Sequence, residues 1–207
     1  MKCSVEEAFK KPLILASLSP PLSLSVDKIP GKDWTEDRLR IWSKFLCNGW
    51  LELWVSNRIR RLINVEPIWG VDCSLPLKAN HRRQRKFEID VGFVYHHRLF
   101  VISCTTIPNL KECKQKLFEV AHRARQLGGD LARSAIVSFL DGADENGQFV
   151  DQAQQDVEGL WDAPNKPKVF GLRDVREWFG SNGKPNLESL ESWLNDRSDA
   201  NACLNRD

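Results

Sequence analysis

Two apolar runs joined by a short polar turn dominate the middle of the chain. Residues 87–95 and 99–105 are rich in Phe, Ile and Val, and His96, His97 and Arg98 separate them. Apolar runs of this length, bounded by polar residues, predict the two strands of a β-hairpin.

Polar side chains interrupt this hairpin where a strand should be most apolar. Because side chains alternate across a strand, Asp90 is predicted to share a face with Ser103 and Thr105. The same rule predicts one apolar face on the first strand, formed by Phe87, Ile89, Val91, Phe93 and Tyr95. An unpaired buried carboxylate is costly. The pattern therefore indicates either a hydrogen bond from Asp90 to a neighbouring loop or a site for a hard cation such as Mg²⁺.

Further periodic segments predict an α/β fold with a central mixed β-sheet flanked by helices. The predicted elements are helices at 33–47, 50–63, 111–127 and 187–194, strands at 65–73 and 132–140, and a strand followed by a helix within 169–180. Asp33 and Glu36 resemble a capping box, Asn48-Gly49 predicts a break or bend, and Gly128-Gly129 predicts a helix end. The meander at 65–105 is predicted antiparallel, and the crossover through 111–127 should bring the strand at 132–140 back parallel.

These elements define one domain at 33–195, preceded by an arm or linker at 1–32 and followed by a flexible tail at 196–207. The apolar part of the first segment follows acidic residues and precedes two prolines, so it is predicted to be an arm and not a secretion signal. No segment approaches the roughly 18 apolar residues needed to cross a bilayer.

Composition narrows the function classes. The six cysteines are scattered without a CxxC pair, which indicates reduced thiols in a cytoplasm and argues against a zinc knuckle or a disulfide frame. No Gly-rich phosphate loop appears, which disfavours an NTPase. The net charge is only +2, so nucleic-acid binding would depend on local clusters. The candidates are Arg82, Arg83, Arg85, Lys86, Arg123 and Arg125, which either bind phosphates or form an ordinary charged surface.

A second candidate carboxylate lies on the helix predicted at 50–63. Glu52 belongs to a stripe with Val55, Ile59 and Ile63, which would face the sheet. The opposing stripe, with Leu51, Trp54 and Leu62, is also apolar. The sequence therefore leaves open which stripe is buried and whether Glu52 is an exposed partner of a nearby Arg.

Taken in order, these segments resemble the nuclease domain of CRISPR type III ancillary effectors. That family has a Gly-Trp-Leu-Glu helix start, seen here at Gly49–Glu52, and a Glu-Ile-Asp-Val strand, seen at Glu88–Val91. It then has a Leu-x-Val-Ile-Glu-Cys-Lys-Thr strand, which aligns with Leu99–Thr106, and a Lys-Leu helix, seen at Lys116–Leu117. The resemblance implies a restriction-endonuclease-like PD-(D/E)xK fold and a metal-dependent endonuclease of antiviral defence that uses Mg²⁺ or Mn²⁺.

By this resemblance, Asp90 and Glu52 carry over as catalytic and metal-binding residues. Ser103 stands where the family has the metal-binding Glu, and Thr105 stands where it has the catalytic Lys, so both carry over only as positions. Two interpretations follow. In the first, Lys114 or Lys116 supplies the missing cation and Glu88 or Glu119 supplies the missing carboxylate. In the second, the domain binds nucleic acid or a partner without cleaving. A third interpretation is a structural dimerisation domain, given the eight tryptophans.

Relatives in this family couple the nuclease to a sensor (CARF) domain for cyclic oligoadenylate and act as dimers. No sensor domain fits within the first 45 residues. The resemblance therefore implies a fragment, a stand-alone domain or the partner of a separate sensor, with a homodimer and RNA or DNA as the expected partners.

Overall fold

The computed structural model describes residues 36, 42–75, 85–141, 148–163, 165–180 and 184–196. Contacts between Cα atoms divide the chain into two compact units, Met1–Trp50 and Leu51–Asp207. The arm predicted at 1–32 and the tail beyond Asp196 lie outside the described residues, as do Asp33 and most of the helix predicted to follow it.

In the first unit the described residues contain a π-helical turn, Phe45–Gly49. The Trp42 and Phe45 rings meet edge to face, with centroids 6.0 Å apart. The sequence predicts a break or bend at Asn48-Gly49, and the turn found there has helical geometry with the wider π spacing.

The second unit is a five-stranded mixed sheet flanked by helices. Its elements are α1 (Trp50–Ile63), β1 (Ile68–Leu75), β2 (Arg85–Tyr95), β3 (Arg98–Thr105), α2 (Leu110–Gly128), β4 (Arg133–Ser138), α3 (Gln148–Leu160), β5 (Lys168–Phe170), α4 (Leu172–Phe179) and α5 (Glu188–Asn195). The strand order is β1-β2-β3-β4-β5. The first two pairings are antiparallel and the last two are parallel. The predicted α/β class, the mixed sheet and the crossover through α2 are therefore confirmed.

Helix α3 is absent from the sequence prediction, which assigns no element between the strand at 132–140 and the segment 169–180. Its buried residues Ala153 and Val157 are four positions apart, as expected for one helical face. Five Gln and Asp residues between positions 151 and 156 obscure this pattern.

The two faces of the sheet carry different cores. On the α2 face, Phe87 and Ile89 belong to one buried cluster with Val101 and Leu117. On the other face, the Phe93 ring stacks on Phe100 at 5.1 Å between centroids, and Phe100 meets Trp193 of α5.

The prediction that Phe87, Ile89, Val91, Phe93 and Tyr95 share one face is therefore wrong. Phe87 and Ile89 lie on the α2 face, whereas Phe93 lies on the opposite face, so the alternation of β2 changes between Ile89 and Phe93. Asp90 lies within this interruption. Its side chain, rather than a backbone group of β2, accepts the hydrogen bond from the amide of Cys104. The local ladder is thus replaced by a side-chain contact.

Helix α1 settles the question of its two stripes. Glu52, Val55 and Ile59 are buried, together with Leu51, whereas Trp54 is only half-buried. Glu52 therefore faces the interior. Within the described residues, none of the helices combines the length and the apolarity that a bilayer span requires.

Candidate active site

The Asp90 carboxylate is held by two neighbours on β3. Its Oδ2 accepts a hydrogen bond from the hydroxyl of Ser103 at 2.9 Å and one from the backbone N–H of Cys104 at 2.7 Å. Its Oδ1 accepts none from the residues that the structure describes. The predicted proximity of Asp90 and Ser103 is correct, and one carboxylate oxygen stays available for a ligand.

Burial raises the pKa of the Asp90 carboxyl above its ordinary value. The hydrogen bonds from Cys104 and Ser103 and the positive charge of Lys116 lower that pKa in part, and Glu88 raises it further. The net shift of the Asp90 pKa is upward. The desolvation cost of the ionised carboxylate therefore exceeds the stabilisation that its hydrogen-bond partners and Lys116 provide. A cation bound here would offset that cost.

Asp90 opens into a pocket of about 200 Å³ between β2, β3 and α2. The polar groups on its wall are Glu88, Asp90 and Ser103 from the strands and Lys116, Glu119 and Arg123 from the helix. The structure thus brings together five of the predicted site residues: Asp90, Ser103, Glu88, Lys116 and Arg123.

The two candidate lysines of α2 have different surroundings. The Nζ of Lys114 donates to Asp156 of α3 at 2.7 Å, so Lys114 joins two helices. Lys116 lines the pocket and acts electrostatically on Asp90 and on the Cys104 thiol. Of the two cations that the sequence leaves open, Lys116 is the one on the pocket wall.

Glu52 approaches the same region from α1. Its Oε2 lies 3.5 Å from the position that a Cβ on Gly70 would take. Gly70 lies between the pairs Trp69↔Val91 and Val71↔Ile89, and therefore opposite Asp90 in the β1–β2 ladder. Burial raises the pKa of the Cys104 thiol, and the charges of Asp90 and Glu52 both raise it further. The two predicted carboxylates therefore share one electrostatic neighbourhood.

Gly70 is a site residue that sequence reasoning missed. Its φ of +59° lies in the left-handed region, which residues other than Gly rarely adopt. The signal was present, because a lone Gly inside an apolar strand often marks a bulge or a close approach.

The described residues contain no group of three or more His, Cys, Asp or Glu side chains placed to hold a metal ion. They do provide the carboxylates of Asp90 and Glu52, with the Ser103 hydroxyl beside Asp90. Mg²⁺ is usually held by one or two carboxylates together with water and substrate phosphate. This donor set fits such an open, hydrated site and does not fit a closed structural one.

Thr105 does not line the pocket. Its side chain is fully buried, and its Oγ1 accepts a hydrogen bond from the backbone N–H of Ile107 at 3.3 Å. Thr105 therefore stabilises the end of β3.

The predicted phosphate-binding residues are separated by the structure. Arg123 lines the pocket, whereas Arg125 is half-exposed and pairs with Asp130 at 2.8 Å. Arg82 and Arg83 lie outside the described residues, as do the side chains of Arg85 and Lys86.

An acidic pocket between a mixed sheet and its crossover helix, with a lysine beside the carboxylate, is a site suited to phosphodiester chemistry. A family model for the Card1-like endonuclease domain matches residues 39–160, more than half of the chain. The chain belongs to the Card1-like endonuclease-domain family, a family of CRISPR-associated nuclease domains. The resemblance inferred from the sequence motifs is thereby confirmed at the level of the family.

Among solved structures, the chain is similar to protein VC1899 from Vibrio cholerae, with a TM-score of 0.49 and 20% identity. The match covers 65% of this chain and 33% of that one, so this chain spans about a third of the length of VC1899. A comparison with curated proteins gives no match.

Proposed function

We propose that this domain is a metal-dependent endonuclease of the PD-(D/E)xK type that hydrolyses phosphodiester bonds of RNA or DNA in type III CRISPR defence. One observation carries the proposal. Asp90, held by Ser103 and Cys104, shares a pocket with Lys116. A fixed carboxylate beside a cation is the pairing that such chemistry requires.

Asp90 and Glu52 are the residues that would hold Mg²⁺ or Mn²⁺, with Glu88 and the Ser103 hydroxyl as further oxygen donors. When bound, such an ion supplies charge neutralisation at the phosphate and lowers the pKa of a coordinated water. Ser103 and the Cys104 N–H keep the Asp90 carboxylate in one orientation, which reduces the rearrangement needed on binding.

Lys116 takes the role that Thr105 cannot fill. Its ammonium group lines the pocket and is close enough to lower the pKa of Asp90. A phosphoryl oxygen placed against Asp90 would receive a hydrogen bond from Lys116 as negative charge develops on it. The cation thus comes from α2 and not from β3.

The second candidate is a nuclease-fold module that binds nucleic acid or a partner without cleavage. It is favoured by the neutral side chains of Ser103 and Thr105 at the two family positions that carry charge. Both candidates keep RNA or DNA as a partner. A second copy of the chain and a cyclic-oligoadenylate sensor are proposed partners that follow from the resemblance to the CRISPR effectors.

Cleavage of labelled single-stranded RNA and supercoiled DNA, in Mn²⁺ or in EDTA, tests the proposal. The native chain should cut in Mn²⁺ only, and Asp90→Ala should abolish cutting. Lys116→Gln should reduce the rate about 10²–10³-fold, the loss typical of one donor to a transition-state oxyanion. Lys114→Gln is the matched control, because Lys114 pairs with Asp156, and it should cut at the native rate.

Salt-sensitive binding without cutting in Mn²⁺ would reject the nuclease and leave the binding module. Equal losses in Lys116→Gln and Lys114→Gln would reject the assignment of the cation to Lys116.

A further inference from the structure

The pocket has two ends, each with one cation from α2. Lys116 and Arg123 are seven positions apart, which is about 10 Å along a helix at ~1.5 Å per residue. Phe87 and Asp90 are three positions apart, which is also about 10 Å along a strand at ~3.3 Å per residue. Lys116 acts on Asp90, and the Arg123 guanidinium lies 4.7 Å from the centre of the Phe87 ring.

Along the backbones of α2 and β2, Arg123 and its neighbour Phe87 lie about 10 Å from Lys116 and Asp90. The charges that shift the pKa of Asp90 come from Lys116 and Glu88, and Arg123 is not among them. Since both cations line one pocket, Lys116 belongs to the reaction end and Arg123 to a separate end.

The Arg123 guanidinium is oriented but incompletely paired. Its Nη1 donates to Gln126 at 3.1 Å, and its Nη2 lies 3.9 Å from a Glu119 oxygen, too far for a hydrogen bond. Its buried Nε–H has no hydrogen-bond partner among the described residues. Its central carbon lies over the Phe87 ring, a cation–π contact that helps to hold the group in place. A planar cation held in this way, with donors to spare, suits the oxygens of a phosphate.

We propose that Arg123 is a positioning residue that binds a second backbone phosphate of the nucleic-acid strand whose scissile phosphate lies at Asp90. Glu119 is the anion that the substrate phosphate displaces, so it opposes binding. This assignment rests on the proposed function, because it takes the Asp90 end of the pocket as the reaction centre. It also assigns phosphate binding to Arg123 and not to Arg125, because Arg125 is paired with Asp130.

The test measures binding apart from cleavage. Fluorescein-labelled single-stranded RNA and DNA are titrated in EDTA by anisotropy, at several salt concentrations. Arg123→Gln should weaken binding about tenfold and reduce the slope of log K against log salt by ~0.7, the share of one phosphate on a single strand. Arg123→Lys should retain that slope, because the charge remains.

Arg173→Gln is the matched control. Arg173 also pairs with a glutamate four positions away, but it lies on the exposed surface of α4. It should leave both the affinity and the slope unchanged. Equal effects of Arg123→Gln and Arg173→Gln, or an unchanged slope in Arg123→Gln, would overturn the assignment.

Glu119→Gln provides a second test if Arg123→Gln does not fold. Glu119 is largely exposed, and removing its charge should tighten binding two- to threefold. Unchanged or weaker binding would contradict the proposal. A change of slope without any cleavage by the native chain would retain the phosphate site and reject only the nuclease.

Discussion

At the scale of single residues, the site depends on how one buried carboxylate is satisfied. Asp90 receives two hydrogen bonds, yet burial still raises its pKa. Ionised Asp90 is therefore less favourable in the folded protein than in the unfolded chain. Buried charged groups at functional sites often lower the stability of the fold, because the same unneutralised charge attracts the metal or substrate.

Replacing Asp90 by Asn should therefore stabilise the domain while abolishing cleavage. The amide oxygen can accept both hydrogen bonds, and no charge is buried. Because the folded pKa is raised, the cost of ionised Asp90 is absent below the ordinary value of 3.8 and develops as the pH rises through the folded value. Thermal melts in EDTA should show a higher Tm for Asp90→Asn at pH 7, with a smaller gain at pH 4. A lower Tm at pH 7 would show that the carboxylate stabilises the fold.

At the scale of elements, the sequence predicts strands and helices better than it predicts their faces. The apolar runs of β2 and β3 are long and are separated by a short polar turn, so the sequence predicts both strands and their antiparallel pairing. The sequence does not predict the change of alternation at Asp90, because that change depends on a hydrogen bond from Cys104, fourteen positions later. Likewise, a local sequence pattern cannot predict that Lys114 pairs with Asp156, because Asp156 lies on the unpredicted helix α3. The sequence alone therefore does not distinguish Lys114 from Lys116.

Helix α1 illustrates the same limit. Both of its stripes are apolar, and a hydrophobic pattern cannot rank them. The choice follows from tertiary packing, in which Val55 and Ile59 are fully buried and Trp54 stacks at 4.4 Å on Phe179 of α4. That packing turns Glu52 towards Gly70. The candidate carboxylates were thus predictable as residues, whereas the burial of Glu52 depends on tertiary packing.

Gly70→Ala tests whether the backbone of β1 positions Glu52. A side chain at φ +59° costs about 1–2 kcal/mol. The added methyl would also touch the Glu52 carboxylate at 3.5 Å. Urea unfolding should show this loss, and cleavage should fall with it.

Gly159→Ala is the control for this change. A Cβ at Gly159 meets nothing within 4 Å, and the residue lies within α3, so the substitution should stabilise by about 0.4–1 kcal/mol. A Gly70→Ala protein as stable as the native one would show that β1 tolerates a side chain at this position.

At the scale of the whole molecule, the chain is a nuclease domain of the Card1-like family built on a five-stranded mixed sheet. Its pocket is formed where β2 departs from regular alternation and is lined by Glu88 and Asp90 of that strand. Glu52 of α1 lies beside Gly70, opposite Asp90 in the β1–β2 ladder. Two cations of α2 complete the wall. Ser103 and Thr105 of β3 carry no charge, so the proposed activity depends on whether the carboxylates of Asp90 and Glu52 bind a divalent ion.

Manganese uptake measured by isothermal titration calorimetry tests that dependence most directly. Mn²⁺ and Mg²⁺ are titrated into the native chain and into Asp90→Asn, each with and without a single-stranded oligonucleotide. The native chain should show saturable binding that is strengthened by the oligonucleotide, because substrate phosphate completes the ligand set. Asp90→Asn should lose that binding. The absence of metal-dependent heat in the native chain, or identical titrations for the two proteins, would contradict a metal-dependent active site at Asp90.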